Sequence, residues 1–291
     1  MDLLDALRST AAIREFTDEP VSDDVVARVL DTARFAPSGG NKQAWRVVVM
    51  KDPATRRSLR DLYLTGWYRY LAMTQAGLRP WSVMNDPADE AATLPAAAEI
   101  EAQAATNGGG FAEHLDTVPV LLAVLVDLGG MAAVDRDLGR YTFAGGASVY
   151  PFCWNLLLAA RAEGLGGVIT TMCVWREPEV LEVLGAPDTM ALAGVIALGH
   201  PTHQPSRLRR DPVESFATFD RIDGEPVVAP SSSRRQLTGL IADTPAPASS
   251  EQRRCHVPAR RDLRPVVLAP PRSQPRAGLG RMDDAAFGCR G

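Results

Sequence analysis

Nine consecutive apolar residues, Val118-Pro119-Val120-Leu121-Leu122-Ala123-Val124-Leu125-Val126, most restrict what this chain can fold into. The run is far short of the roughly 20 residues that cross a bilayer, and no other segment reaches that length uninterrupted. It suits a central strand, apolar toward both faces of a sheet. The surrounding pattern supplies what would flank it. Residues 2–9 and 22–35 read as helices; the second has Ser22 as N-cap, Asp23 and Asp24 in its first turn, and Val25, Val26, Val29, Leu30 and Ala33 on one face. Arg46 to Met50 reads as a strand and Pro53 to about Leu71 as a helix with proline in its first turn. Ala144 to Glu163 reads as a long apolar helix stopped by Gly164, Gly167 to Met172 as a strand, Glu177 to Leu184 as a helix and Leu192 to Leu198 as a strand. Helices and short strands are mixed throughout, which predicts an α+β domain ending near residue 229.

The 291 residues would hold one large domain or two small ones, and 46% hydrophobic content allows a sizeable core. Charge is uneven. Residues 231–291 carry eleven arginines against five acids, so residues 1–230 carry −10 of a total of −4. An acidic body lacks the clustered basic face that nucleic acid requires. The tail, rich in Pro, Arg and Ser with Phe287 its only aromatic residue, buries too little to offset ordering entropy and is expected to be disordered. Cys153, Cys173, Cys255 and Cys289 form no C-x-x-C pair, so neither a disulfide framework nor a zinc site is expected, and a reducing compartment fits. Asp2 and Asp5 stand where a signal peptide needs basic residues. The expectation is a cytoplasmic protein with no membrane or nucleic-acid partner.

Between the second helix and the first strand lies Ala36-Pro37-Ser38-Gly39-Gly40-Asn41-Lys42-Gln43-Ala44-Trp45. Its glycines and short polar residues let backbone approach an anionic or flat heterocyclic ligand. The same residues also suit a helix C-cap followed by a turn. Arg14 follows the first helix and lies near the Thr10 hydroxyl, a reasonable phosphate contact; Arg207, Arg209 and Arg210 form a second basic cluster after the last core strand. Thr170 and Thr171 end a strand, where their hydroxyls could meet the polar edge of a flavin, although threonine is also an ordinary strand residue. Residues 61–112 read as a lid: Tyr63, Trp67, Tyr68, Tyr70 and Trp81 cluster there, as a substrate wall or as the packing of the lid itself. Gly164-Leu165-Gly166-Gly167 follows a helix and precedes a strand, the reverse of a dinucleotide fingerprint. His200 and His203 lack acidic partners and helical register, and no Walker loop, G-x-S-x-G or Cys/His nucleophile is present. A catalyst without its own nucleophile or metal borrows an organic cofactor.

Over residues 2–222 the chain resembles the FMN-dependent nitroreductase family. Residues Ala36 to Trp45 match that family's A-P-S-x-x-N-x-Q-P-W signature, with Ala44 in place of proline. Order agrees as well: Arg14 early, Gly146-Ala147-Ser148 and Asn155-Leu156-Leu157-Leu158 in a long helix, a glycine turn into Thr170-Thr171, and the late arginines. The long lid looks like a branch common in actinobacteria. The resemblance implies a mostly antiparallel central sheet flanked by helices, an entwined homodimer, and FMN at its interface. Arg14, Arg207 and Arg209 would neutralise the FMN phosphate, with Thr10 standing in for a charge. Pro37, Ser38, Gly39 and Asn41 would cover the flavin from the neighbouring subunit, and Thr170 and Thr171 would address the ring. No catalytic side chain is implied; FMN would carry electrons from NAD(P)H to a small acceptor, a nitroaromatic or quinone. Thr10-Ala11-Ala12 departs from the family's Arg-x-Ser pattern, which implies weaker FMN binding or reliance on Arg8 or Arg210.

Overall fold

The structure, a computed structural model, describes residues 1–229; the expectation for the 230–291 tail, with Cys255 and Cys289, lies outside the described residues. Residues Met1–Val227 form a compact unit. Its centre is a four-stranded sheet of β1 (Trp45–Met50), β2 (Val120–Asp127), β3 (Gly166–Thr170) and β4 (Met190–Gly199). Strand order is β1-β2-β4-β3 and every pairing is antiparallel. This is the α+β architecture that the residue pattern predicts.

The apolar run occupies the middle of that sheet. From Val120 to Val126 every residue of β2 is buried, and its side chains alternate between two cores. Val120, Leu122, Val124 and Val126 join the first core, which also holds Val26, Val29 and Ala33 of α2 (Asp23–Ala33) and Phe152, Leu156 and Leu157 of α6 (Tyr150–Ala162). Leu121, Ala123 and Leu125 join the second, with Leu59 and Tyr63 of α3 (Pro53–Gln75) and Val180 and Leu181 of α7 (Glu177–Leu184). Helices therefore cover both faces. A bulge between Val124 and Leu125 leaves Ala193 of β4 out of register, and the Tyr150 hydroxyl donates to the Ala193 carbonyl at 3.1 Å.

The cap at Ser22 acts as read, and Asp52 is a second cap that the sequence reading did not name. Ser22 accepts from the Val25 amide, and Asp52 accepts from Thr55 ahead of Pro53. Two boundaries differ. The stretch Ala144–Glu163 is not one helix: Ala144–Ser148 is a 3-10 turn, Val149 leaves helical geometry, and α6 begins at Tyr150. Pro151 is the reason, since it has no N–H to continue a helix through it and fits only the first turn. The strand read to Met172 stops at Thr170, and Met172–Arg176 turns as 3-10 helix. Residues 61–112 hold the second half of α3, then α4 (Pro87–Ala92) and α5 (Leu94–Asn107). Tyr63 lies in the sheet's second core, and Tyr68 packs with Ala72 and Ala97 of α5. Among the described residues no helix is long and apolar enough to cross a membrane.

Candidate functional site

The loop after α2 is held by its own backbone. Gly40, Asn41 and Gln43 all have positive φ, at 57°, 53° and 49°, a conformation that favours glycine and is tolerated by asparagine. Ser38 Oγ accepts from the Gln43 amide at 3.0 Å, the Asn41 amide donates to Ser38 O at 2.9 Å, and Gln43 Nε2 donates to Asn41 Oδ1 at 3.1 Å. The Gly39 amide donates to Ser148 Oγ at 3.0 Å, docking the loop on the 3-10 turn before α6. Beyond it, Trp45 stacks on Phe152 with centroids 4.8 Å apart. Pro37, Gly39, Gly40 and Asn41 remain exposed. The loop is thus a turn whose geometry keeps small exposed groups on a rigid base.

The two basic segments meet although some 190 residues separate them in the sequence. After α1 (Leu3–Ser9) the chain pairs with the end of the sheet: the Ile13 amide donates to Gly167 O at 2.9 Å and the Thr17 amide to His200 O at 2.8 Å. The segment after β4 then returns along it. The Thr202 amide donates to Glu15 O at 3.2 Å, Gln204 Nε2 to Ser9 O at 3.2 Å, and the Leu208 amide to Arg8 O at 2.9 Å. Arg207 and Arg209 therefore flank a residue bonded to the end of α1. Arg8, Arg14, Arg207 and Arg209 are all exposed, and none has a carboxylate within ion-pair distance among the described residues. Thr10 differs from its expected role. It is buried, and its one hydroxyl proton goes to Ala6 O at 2.8 Å. It closes the helix and has no proton left for a phosphate.

Thr170 is tied to this region through Tyr63. Burial pushes the Tyr63 phenol above its usual range; its hydrogen bond to Thr170 and the positive charge of Arg14 pull the other way. Thr170 Oγ1 also accepts from the Met172 amide at 3.4 Å, and Thr171 is exposed. Arg14, Tyr63, Thr170 and Thr171 thus share one neighbourhood at the β3 edge. The loop 36–44 belongs to the other edge. Trp45 pairs with Val126 on β2, whereas Thr170 pairs with Val195 on β4. Three inter-strand spacings of about 4.8 Å put the edges roughly 14 Å apart. No hydrogen bond joins the two groups among the described residues.

The aromatic residues divide. Tyr63 and Tyr68 serve cores, while Trp67, Tyr70 and Trp81 continue outward as a ladder that ends on Trp175, a residue the sequence reading did not single out. Centroids lie 6.4 Å (Tyr63–Trp67), 5.5 Å (Trp67–Tyr70), 6.4 Å (Tyr70–Trp81) and 5.7 Å (Trp81–Trp175) apart. Arg69 places its guanidinium 4.3 Å from the Trp175 centroid. The signal in the sequence was the spacing of Tyr63, Trp67 and Tyr70 on one helix face and the closeness of Trp175 to Thr171. Trp81 has φ 50°, a strained conformation for a bulky residue that costs about 1–3 kcal/mol. Its indole N–H is shielded from water with no acceptor, which costs about 1–3 kcal/mol more.

A cavity of about 1120 Å³ lies elsewhere and is bordered by Phe16, Arg56, Phe111, His114 and Asp116; of the expected site residues only Arg14 reaches it. Its cations other than Arg14 are already engaged. Arg56 donates to the carbonyls of Asp116 at 2.7 Å, Met50 at 3.3 Å, and Val118, and Lys51 pairs with Asp23. The exposed arginines beside α1 are better placed to receive an anion. Among the described residues no His, Cys, Asp and Glu group could hold a metal.

Residues 7–200 match the family model described as the nitroreductase family. An NADH dehydrogenase from Thermus thermophilus is 29% identical over 222 residues, covering 74% of this chain and 94% of the relative. A BluB-like flavoprotein from Clostridium difficile superposes with a TM-score of 0.55 at 22% identity, over 76% of this chain and 100% of that one. Iodotyrosine deiodinase, solved with FMN and 3-iodo-L-tyrosine, gives 0.50 at 19% identity over 73% and 96%. With two thirds of its length matched by the family model and its sheet shared with these folds, the chain belongs to the nitroreductase family.

Proposed function

We propose that the protein is an FMN-dependent oxidoreductase that takes electrons from NAD(P)H and passes them to a small oxidised acceptor, a nitroaromatic or a quinone, and that it works as a homodimer. The observation that carries this reading is the hydrogen bond from Leu208 to Arg8, which brings Arg207 and Arg209 to the end of α1 beside Arg8, with Arg14 on the segment that follows that helix. A phosphate monoester dianion fits such exposed guanidinium groups, each capable of a bidentate, charge-assisted contact. Thr170 and Thr171 present hydroxyl and backbone groups nearby for the polar edge of a ring. Pro37, Ser38, Gly39 and Asn41 lie at the opposite edge of their own sheet, which supports their serving a second subunit. When bound, FMN supplies two-electron transfer between nicotinamide and acceptor. The protein's part is to hold the phosphate, to keep the loop rigid over the ring, and to exclude water from it.

The test is optical. The purified protein should be yellow or take up FMN, and anaerobic NADH or NADPH should bleach it, with nitro or quinone compounds restoring the colour. A colourless protein that takes up no FMN overturns the reading. Flavin that neither nicotinamide bleaches favours a non-catalytic flavin-binding protein, the reading that the Thr10-Ala11-Ala12 departure supports. Rapid bleaching without turnover of nitro or quinone compounds points to a specialised enzyme, such as a dehalogenase, for which the aromatic ladder would be the pocket wall.

A further inference from the structure

The arginines beside α1 carry more charge than one phosphate uses. Arg8 lies in the last turn of α1, where the free carbonyls of a helix end favour a cation, and it is exposed. The Leu208 amide donates to Arg8 O at 2.9 Å, so Arg207 and Arg209, the neighbours of Leu208, stand beside Arg8. Arg14 follows on the next segment. The acids closest in sequence, Asp5, Glu15 and Asp211, form no ion pair with any of these four arginines among the described residues. Arg210 differs, because its Nη1 donates to Arg209 O at 2.7 Å and so spends a donor on backbone. A phosphate monoester carries close to two negative charges at neutral pH, so four guanidinium groups keep roughly two positive charges once the FMN phosphate is bound. Like charges held near one another repel, and a second anion relieves that repulsion. The nitroreductase resemblance assigns Arg14, Arg207 and Arg209 to the FMN phosphate and leaves Arg8 over.

We infer that Arg8 receives the 2′-phosphate of NADPH and makes the protein select NADPH over NADH. The two reductants differ only by that phosphate monoester, which is the second dianion that the arginine surplus calls for, and a guanidinium meets it with charge-assisted hydrogen bonds. The inference rests on the oxidoreductase reading above, and its test separates the two. With the full chain held at saturating FMN, kcat/KM for NADPH should exceed that for NADH about tenfold, and the excess should shrink as salt is raised. Arg8→Gln should bring the ratio of the two close to one, whereas Arg8→Lys, which keeps the charge, should retain most of it. Calorimetric titration of the FMN-loaded chain with adenosine 2′,5′-bisphosphate and with adenosine 5′-monophosphate gives a readout independent of turnover. The bisphosphate should bind about tenfold more tightly to the wild type, and the two should bind alike to Arg8→Gln. Equal use of NADH and NADPH by the wild type overturns the inference while leaving the oxidoreductase reading intact. An Arg8→Gln variant that loses FMN but keeps the wild-type ratio at saturating FMN also overturns it, since Arg8 then serves the flavin phosphate. If neither nicotinamide bleaches bound flavin, the oxidoreductase reading falls, and the nucleotide titration still decides the anion site: a bisphosphate preference lost in Arg8→Gln supports it, and equal binding of the two nucleotides by the wild type sinks it.

Discussion

At the β1 edge of the sheet the chain holds residues 38–43 through backbone conformation, with three left-handed residues and short hydrogen bonds inside the loop. At the β3 edge the groups of interest are long side chains. Arg14, Arg207 and Arg209 are free to adjust, while only the backbone beneath them is fixed by pairing with Gly167, Ser9 and Arg8. The difference matches what the proposed FMN site asks of each edge. A rigid loop of small residues can lie flat against a ring without losing conformational freedom, and flexible arginines can close around an anion. Strands β2 and β4 stand between the two edges.

The largest effect comes from separating the edges genetically. Asn41→Val places a β-branched residue at φ 53° and should distort the loop; Arg14→Ala removes a phosphate contact. Each homodimer should lose most activity, but mixed dimers of the two variants should recover about half the wild-type rate, because one of two shared sites contains neither substitution. If mixed dimers stay as inactive as their parents, the loop serves its own chain. By itself, Arg14→Ala should weaken FMN retention by about 1.5–3 kcal/mol, roughly ten- to a hundredfold, with little change in thermal stability. Equilibrium dialysis against free FMN measures this.

Tyr63 couples the β3 edge to the core and gives a pH signature. Its phenol is raised in the folded state, chiefly by burial, so the neutral form is favoured there. The corresponding stability is fully present below the unfolded phenol pKa of about 10 and is lost as pH rises through the higher folded value. Denaturant midpoints between neutral and strongly alkaline pH should fall more steeply for wild type than for Tyr63→Phe. The smallest effect belongs to the loop's dock. Ser148→Ala leaves the Gly39 amide without its partner and should cost about 1 kcal/mol in chemical denaturation.

Much of the fold was legible because it depends on local patterns. Ser22 caps α2 where its side chain reaches a nearby amide, and the apolar run of β2 serves a sheet covered on both faces. Errors arose where one residue outweighed the pattern: Pro151 divides an apolar stretch that otherwise reads as a single helix. Helix α5 passed unread because its alanine-rich sequence has only a weak apolar stripe, with Ala97 its one buried residue. Within the candidate site, the residue types were legible and their availability was not. Thr10 offers a hydroxyl on paper, but the end of α1 takes its proton. Trp175 carries no signal of being a partner to Trp81 until the chain has folded.

The sequence alone determined the central strand, the Ser22 helix cap, the unusual loop and the set of arginines, since these follow from the chemistry of neighbouring residues. Tertiary structure decided which arginines share a helix end, that Thr10 is already engaged, and that the loop and the Thr170 segment occupy opposite sheet edges. Those facts depend on contacts between residues far apart in the chain. The pairing of Leu208 with Arg8 exists only because burying the two cores brings the segment after β4 back across the first helix.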